Sequence, residues 1–403
     1  MKIKNIWYRI RQFGFSIFMY LAPLRKAELI QGEGSIYQIP ELIKKEGKKK
    51  VLVVTTPGFI RRGSLKGIFN KFEKEEIQYA IYSEVCPDPD TKCVEMAVRM
   101  YKEENCEAIV AIGGGSVIDC SKALGARIAK PDKSLEQMQG LLKVMKKLPV
   151  IFAVPTTAGT GSEATAGAVI TNSHSHYKFT IMDLCLIPKY AVLDPQLTYA
   201  LPHKVTAATG MDALTHAIEA YTNCFCSPKV KKAAEEAVQL IYHNLGEACQ
   251  EGVHQKAREN MLLASYYAGV AINQNFVGYV HAVAHGIGGI YGMTHGEANA
   301  VILPYMLESY GKKIEKKLSR LADLTGIEGG DTEQKAKAFI ASIREWNHRF
   351  GISDKIEKLQ TKDYAELVKR AKKEGNPMYP VPVIWEDKDF ICFLDRLKNN
   401  YCK

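Results

Sequence analysis

Along the first half of the chain, apolar runs of strand length alternate with helical stretches. "KVLVVTT", beginning at Lys50, is rich in β-branched residues and is closed by Pro57-Gly58; "IQYAIYSEV", "AIVAIGGG" and "LPVIFAVPTT" repeat the pattern. Near-continuous apolar strands separated by helices predict a parallel sheet covered by helices on both faces. Beyond Leu201-Pro202 the texture changes to long helical patterns such as "VTAATGMDALTHAIEAYTN", "KVKKAAEEAVQLIYHNL" and "ARENMLLASYYAGVAIN", and strand-like runs nearly vanish. The pattern predicts an N-terminal extension over 1–27, an α/β domain over 28–200 and an all-helical domain over 201–403. No internal repeat or low-complexity tract interrupts it.

Composition changes this picture little: 403 residues with 46% hydrophobic and 24% charged content describe an ordinary globular protein. The formal net charge of +10 suggests a nucleic-acid partner until its placement is considered. Lys2, Lys4, Arg9, Arg11, Arg25 and Lys26 all precede the first acidic residue, Glu28, and setting those six aside leaves 48 basic against 44 acidic residues. With no zinc-finger spacing and no RNA-binding aromatic signature, nucleic acid is excluded as a partner. Ten cysteines show no paired spacing except Cys224-Phe225-Cys226, so no disulfide framework is expected and the reducing cytoplasm is the expected compartment. Cys224 and Cys226 read as packing residues, because no partner pair completes a metal site.

The extension carries "IWYRIRQFGFSIFMYLAPL". Its uncharged part, Phe13 to Leu24, is shorter than the ~18 apolar residues that a spanning helix needs. No small-x-small cleavage site precedes Arg25, which argues against a signal peptide. Three readings stay open: a helix packed on the body of the protein, a segment lying on a membrane surface, or a contact with a partner subunit.

Candidate chemistry appears where strands end. The strand "AIVAIG" runs into Gly113-Gly114-Gly115-Ser116 and then a helix, a turn whose bare backbone N–H groups and helix dipole suit a pyrophosphate. The next strand ends in "PTTAGTGSEAT", a second cluster of glycines and hydroxyl residues at the carboxyl edge of the sheet. In the helical half, "GMDALTHAIEAY" places Asp212 and His216 one helical turn apart, and His281 and His285 repeat that spacing. The glycines from Gly286 to Gly292 predict a break, with His295 returning from a loop. Three imidazoles and one carboxylate suit Fe²⁺ or Zn²⁺, not an oxygen-only ion, but spacing alone leaves open which histidine is left over.

Together "GGGSVID", "PTTAGTGSEAT", "GMDALTHAIEAY" and "GYVHAVAHGIGGIYGMTHGEANA" resemble the iron-containing (group III) alcohol dehydrogenases, which include lactaldehyde reductase and several butanol dehydrogenases. The resemblance runs from about Glu28 to the C-terminus. It implies a Rossmann-like dinucleotide-binding α/β domain followed by an all-helical metal-binding and substrate domain, the dehydroquinate synthase-like architecture, and a homodimer. Carried over by position, it implies Asp212, His216, His281 and His295 as metal ligands and His285 as a non-ligating histidine beside the nicotinamide. For the cofactor it implies Gly114, Gly115 and Ser116 at the pyrophosphate, with Asp88, Thr156, Thr157, Thr165, Lys178 and Leu197 lining the rest.

Two positions depart from the family pattern. Many members have an aspartate at the end of the strand "VLVVTT" to hold the adenosine ribose, where this chain has Thr56. An uncharged hydroxyl there, with Gly58, Arg61 and Arg62 following, predicts NADP in preference to NAD. The ending "GNPMYPVPVIWEDKDF" replaces the commoner "NPR", which leaves the substrate unassigned. The expected activity is hydride transfer between a nicotinamide cofactor and a small alcohol or aldehyde, anionic aldehydes such as phosphonoacetaldehyde included. The alternatives are a sugar-phosphate cyclase of the dehydroquinate synthase type and a non-catalytic nucleotide-binding module.

Overall fold

A computed structural model of the protein describes residues 3–21, 26–175 and 177–399. The chain divides into two compact units: Leu24–Leu201 with Gly252–Tyr266, and Met1–Pro23 with Pro202–Glu251 and Tyr267–Lys403. The first, the α/β unit, contains strands β1 (Glu28–Gln31), β2 (Lys50–Val54), β3 (Gln78–Tyr82), β4 (Ala108–Gly113), β5 (Gly140–Leu141), β6 (Val150–Pro155), β7 (Gly167–Thr171), β8 (Lys178–Met182) and β9 (Tyr190–Leu193). Six of them form a wholly parallel sheet in the order β1-β9-β6-β4-β2-β3, and β5-β8-β7 form a smaller mixed sheet.

The large sheet is buried on both faces, which explains its unbroken apolar runs. Alternate residues point to opposite sides. Leu52, Val54, Ile109, Ala111, Ile151 and Ala153 enter one core cluster. Val51, Val53, Val110, Ile112, Phe152 and Val154 enter the other. Each fully buried Val, Leu, Ile or Phe contributes about 1.5–3 kcal/mol relative to exposure, so a single charge in β4 destabilises the layer that its side chain enters. After β2 the chain moves outward to β3 and returns to lay β4 on the opposite side of β2. This is a topological switch point, where open α/β sheets form a ligand crevice at the carboxyl ends of the strands. Thr55 Oγ1 donates to the Ile112 carbonyl at 2.8 Å and pins the two strand ends together.

Helix α1 (Ile3–Leu21) belongs to the helical unit, while α2 (Gly115–Ala129) follows β4 in the α/β unit. The helical unit also holds α3 (His203–Thr222), α4 (Tyr279–Tyr291), α5 (His295–Tyr310) and α6 (Tyr364–Met378). The break expected from Gly286 is absent: α4 stays helical to Tyr291 and ends on Gly292 at φ +68°. His295 accordingly comes from the first residue of α5 and not from a loop. The reason is tertiary, because α4 and α6 approach where glycine leaves room. A Cβ on Gly286 would meet Leu367 Cδ2 at 2.9 Å, and one on Gly375 would meet Tyr279 Cε1 at 2.8 Å. Close packing there offsets the helix penalty of about 1 kcal/mol that each glycine carries.

Helix α1 is fastened to this unit by buried Gln12, whose amide donates to the Asn376 carbonyl at 2.8 Å, and by Arg9, which donates to the Pro382 carbonyl at 3.2 Å. Phe15 packs on Phe276, with ring centroids 5.1 Å apart. Among the described residues, no helix is long and apolar enough to cross a membrane.

Candidate metal centre and cofactor loops

Helices α3, α4 and α5 each carry part of one cluster. One turn of α3 aims Asp212 and His216 from the same face, α4 supplies His281, and the start of α5 supplies His295. One ligand atom from each of the four lies within 4.8 Å of the others. Asp212 Oδ1 is 3.6 Å from His281 Nε2 and 3.5 Å from His295 Nε2. Four ligands held at 2.0–2.2 Å from a tetrahedral ion stand about 3.4 Å apart, so the donor set fits a divalent transition metal. Asn299 Nδ2 marks the point of convergence, at 2.7 Å from Asp212 Oδ1, 3.1 Å from His281 Nε2 and 3.2 Å from His295 Nε2. Asp212, His216 and His281 are buried while His295 is exposed, so the cluster opens on the His295 side.

Glu219, one turn beyond His216 on α3, organises this centre. Its Oε2 lies 2.6 Å from His281 Nδ1, which directs Nε2 of that ring toward Asp212. Its Oε1 accepts the Val280 N–H at 2.7 Å, so the same carboxylate stabilises the positive end of the α4 dipole. Gly278 permits the approach, since a Cβ there would meet Glu219 Oε1 at 2.7 Å. Burial opposes charge on the His281 imidazole, but the facing Glu219 and Asp212 carboxylates prevail and push its pKa up to about 9. Burial likewise opposes the Asp212 carboxylate, and the His216, His295 and His281 rings outweigh it, holding that carboxyl well below its usual range. The two shifts are two sides of one attraction between carboxylate and imidazole, while burial and the neighbouring rings push His295 the other way, well below the usual imidazole range.

Glu219→Gln is therefore expected to weaken metal affinity by about 10- to 100-fold, the usual cost of losing a carboxylate behind a ligating histidine. Chelator competition measures it, and unchanged affinity would remove Glu219 from the centre.

His285 stands apart from the four. Its Nδ1 is 2.8 Å from Glu374 Oε1, which also accepts from the Tyr379 hydroxyl at 2.7 Å. Its ring stacks on His295 with centroids 5.2 Å apart. Sequence reading missed Glu219, Asn299 and Glu374. Glu219 had a readable signal, lying seven residues after Asp212 on one helix face, and Asn299 lies four residues after His295. Glu374 had none, since 89 residues separate it from His285.

In the α/β unit the strand ends gather most of the expected cofactor residues. Helix α2 starts on Gly114 with no side-chain cap, so the N–H groups of its first turn have no capping side chain. A Cβ on Gly115 would lie 2.7 Å from Thr160 Cγ2, and one on Gly114 would lie 3.2 Å from Thr157 Oγ1, so the glycine turn and the loop after β6 are closely apposed. The Thr156 N–H joins them by donating to the Gly113 carbonyl at 3.0 Å. Asp88, at φ +54°, donates its N–H to Ser116 Oγ at 3.3 Å and pairs with Lys178 at 2.7 Å. Thr165 is turned inward: fully buried Lys122 donates to its hydroxyl at 2.9 Å, to its carbonyl at 2.8 Å and to the Gly167 carbonyl at 2.8 Å. Burial pushes the Lys122 ammonium down to about 8, against the pull of Asp119 and Glu163. Thr56 precedes the short helix Pro57–Arg61, while Leu197 lines a separate cavity with Phe59 and Arg62.

A parallel-sheet unit with a glycine turn at a helix start, joined in one chain to a helical unit with a histidine-carboxylate cluster, is the combination expected of a metal-linked oxidoreductase. The family profile "Iron-containing alcohol dehydrogenase" matches residues 26–195, and "Fe-containing alcohol dehydrogenase family, C-terminal" matches residues 206–383. The chain belongs to the iron-containing alcohol dehydrogenase family, oxidoreductases that act on alcohols, and has its dehydroquinate synthase-like fold. The 1,3-propanediol dehydrogenase of Klebsiella pneumoniae is 38% identical over 368 residues, 90% of this chain and 94% of that protein. A crystal structure of 1,3-propanediol oxidoreductase matches with TM-score 0.88 at 34% identity, covering 92% of this chain and 98% of that one. The sulfoacetaldehyde reductase of Bifidobacterium kashiwanohense, solved in complex with NAD+, matches with TM-score 0.84 at 28% identity, covering 94% and 100%. These matches do not favour the sugar-phosphate cyclase alternative.

Proposed function

We propose that the protein interconverts a small primary alcohol and its aldehyde, with one divalent ion held by Asp212, His216, His281 and His295. The observation that carries the proposal is the convergence of those four side chains, with ligand atoms within 4.8 Å of one another. A divalent iron or zinc ion bound there supplies Lewis acidity at the substrate oxygen, and a nicotinamide supplies or takes the hydride. Glu219 holds the His281 ring in its ligating orientation. With Nδ1 engaged by Glu374, His285 keeps Nε2 for the proton that the alcohol loses and the aldehyde gains. The uncapped start of α2 and the loop after β6 hold the cofactor's phosphates.

The name of the Klebsiella pneumoniae relative supports a short alcohol such as propane-1,3-diol, and the sulfoacetaldehyde reductase supports testing anionic aldehydes, phosphonoacetaldehyde among them. For the cofactor we favour NADP. Thr56 brings no carboxylate to repel a 2′-phosphate, and Arg61 and Arg62 follow it within one short helix and its cap. The test is a panel of these alcohols and aldehydes assayed with both nicotinamides on protein reconstituted with Fe²⁺ or Zn²⁺. Thr56→Asp should shift kcat/KM toward NADH by roughly tenfold or more, the size of one charge-assisted hydrogen bond. Better use of NADH by the wild type, or no shift in the variant, would overturn the NADP assignment. Absence of nicotinamide turnover across the whole panel would overturn the substrate class.

A further inference from the structure

Helix α1 precedes the region that the family profiles match, which begins at residue 26. It is thus an addition to the shared architecture, and it has two contrasting faces. The inner face buries Gln12 and Met19 and carries the bonds to Asn376 and Pro382. The outer face presents Ile6, Trp7, Ile10, Phe13, Ile17 and Phe18, all exposed, with Trp7 at 59% and Ile10 at 60%. At 3.6 residues per turn these six fall on one continuous stripe. Phe13 extends it by meeting the exposed Phe225 ring at 5.3 Å. Single exposed apolar residues need no explanation, but a contiguous stripe of this kind marks a contact surface.

Charge identifies what it contacts. Lys4 and Arg11, both exposed, border the stripe on one side, while Arg9 on the other side is turned inward to Gln12 and the Pro382 carbonyl, and α1 contains no acidic residue. The flanking sequence adds Lys2, Arg25 and Lys26, again without a carboxylate before Glu28. An apolar face rich in Trp, Phe and Ile, with an exposed basic border and basic residues in the sequence at both ends, is the signature of a helix lying in the headgroup region of an anionic bilayer. A second copy of the chain fits worse. A two-fold interface would set the same basic borders against each other. The stripe also measures only about 20 Å by 10 Å, well below the ~800 Å² per partner of a stable protein–protein interface.

We infer that α1 docks the protein on anionic phospholipid membranes, with its Ile6–Phe18 stripe in the acyl boundary and its basic residues on the headgroups. The docking is peripheral, and it is independent of the catalytic proposal because no residue of the stripe belongs to the metal centre.

The test is co-sedimentation of the full-length protein with phosphatidylcholine vesicles, with and without about 30% phosphatidylserine, the anionic lipid that basic segments recognise. The anionic vesicles should bind the protein, and added salt should release it. Trp7 emission should shift to the blue on binding, a change missing in Trp7→Phe. The double variant Ile10→Glu/Ile17→Glu should lose at least about tenfold in lipid affinity, since each side chain forfeits its apolar burial. Its thermal midpoint and alcohol turnover should match the wild type, which separates lost docking from lost folding. Failure to bind anionic vesicles would overturn the inference, as would binding that the double variant leaves intact. A lipid-indifferent dimer that Ile10→Glu/Ile17→Glu dissociates would replace it with self-association.

Discussion

His281→Ala is expected to purify with far less than one divalent ion per chain and to lose turnover by more than about 10³-fold, the several kcal/mol that a Lewis-acidic metal contributes. The size of the effect follows from the packing. His281 is buried between Asp212 and Glu219, so its removal deletes a ligand and leaves Glu219 Oε2 without the ring that it orients. Elemental analysis beside steady-state kinetics checks this. A variant that keeps stoichiometric metal sinks the ligand assignment even if its activity is gone.

The second large effect separates His285 from the ligands. His285→Ala should retain metal, because its Nδ1 is spent on Glu374 and its ring lies outside the four-atom cluster. It should lose about 10²- to 10⁴-fold in kcat, the usual cost of removing a positioned acid–base group, and its kcat–pH profile should change shape. Metal loss as deep as in His281→Ala would show the histidines to be wrongly divided.

Most of the α/β unit was legible because its strands are buried on both faces, so β2, β4 and β6 read as unbroken β-branched runs bounded by glycine and proline. The metal cluster was half legible. Asp212 and His216 announce themselves by a local spacing, but the choice among His281, His285 and His295 came from resemblance and not from any pattern in the residues. The misreading at Gly286 has a physical cause. Glycine signals a turn when only local propensity is considered, while here it serves the approach of α4 to α6, and Leu367 lies 81 positions along the chain. Glu374 was invisible for the same reason, since its role depends on a neighbour that only folding supplies. The outer stripe of α1 was visible as apolar sequence, but which residues face outward was not, because Gln12 and Met19 had to find their places on the helical unit first.

The burial of Lys122 gives the α/β unit a built-in chemical clock. Its ammonium is sealed between the glycine-turn helix and the segment from Thr165 to Gly167, so an amine-acylating reagent applied to the native protein marks the surface lysines and passes over this one. When heat or denaturant parts those two segments, Lys122 becomes acylable. The mass spectrum of its peptide then dates the parting of α2 from that segment, with no cofactor, substrate or metal in the tube.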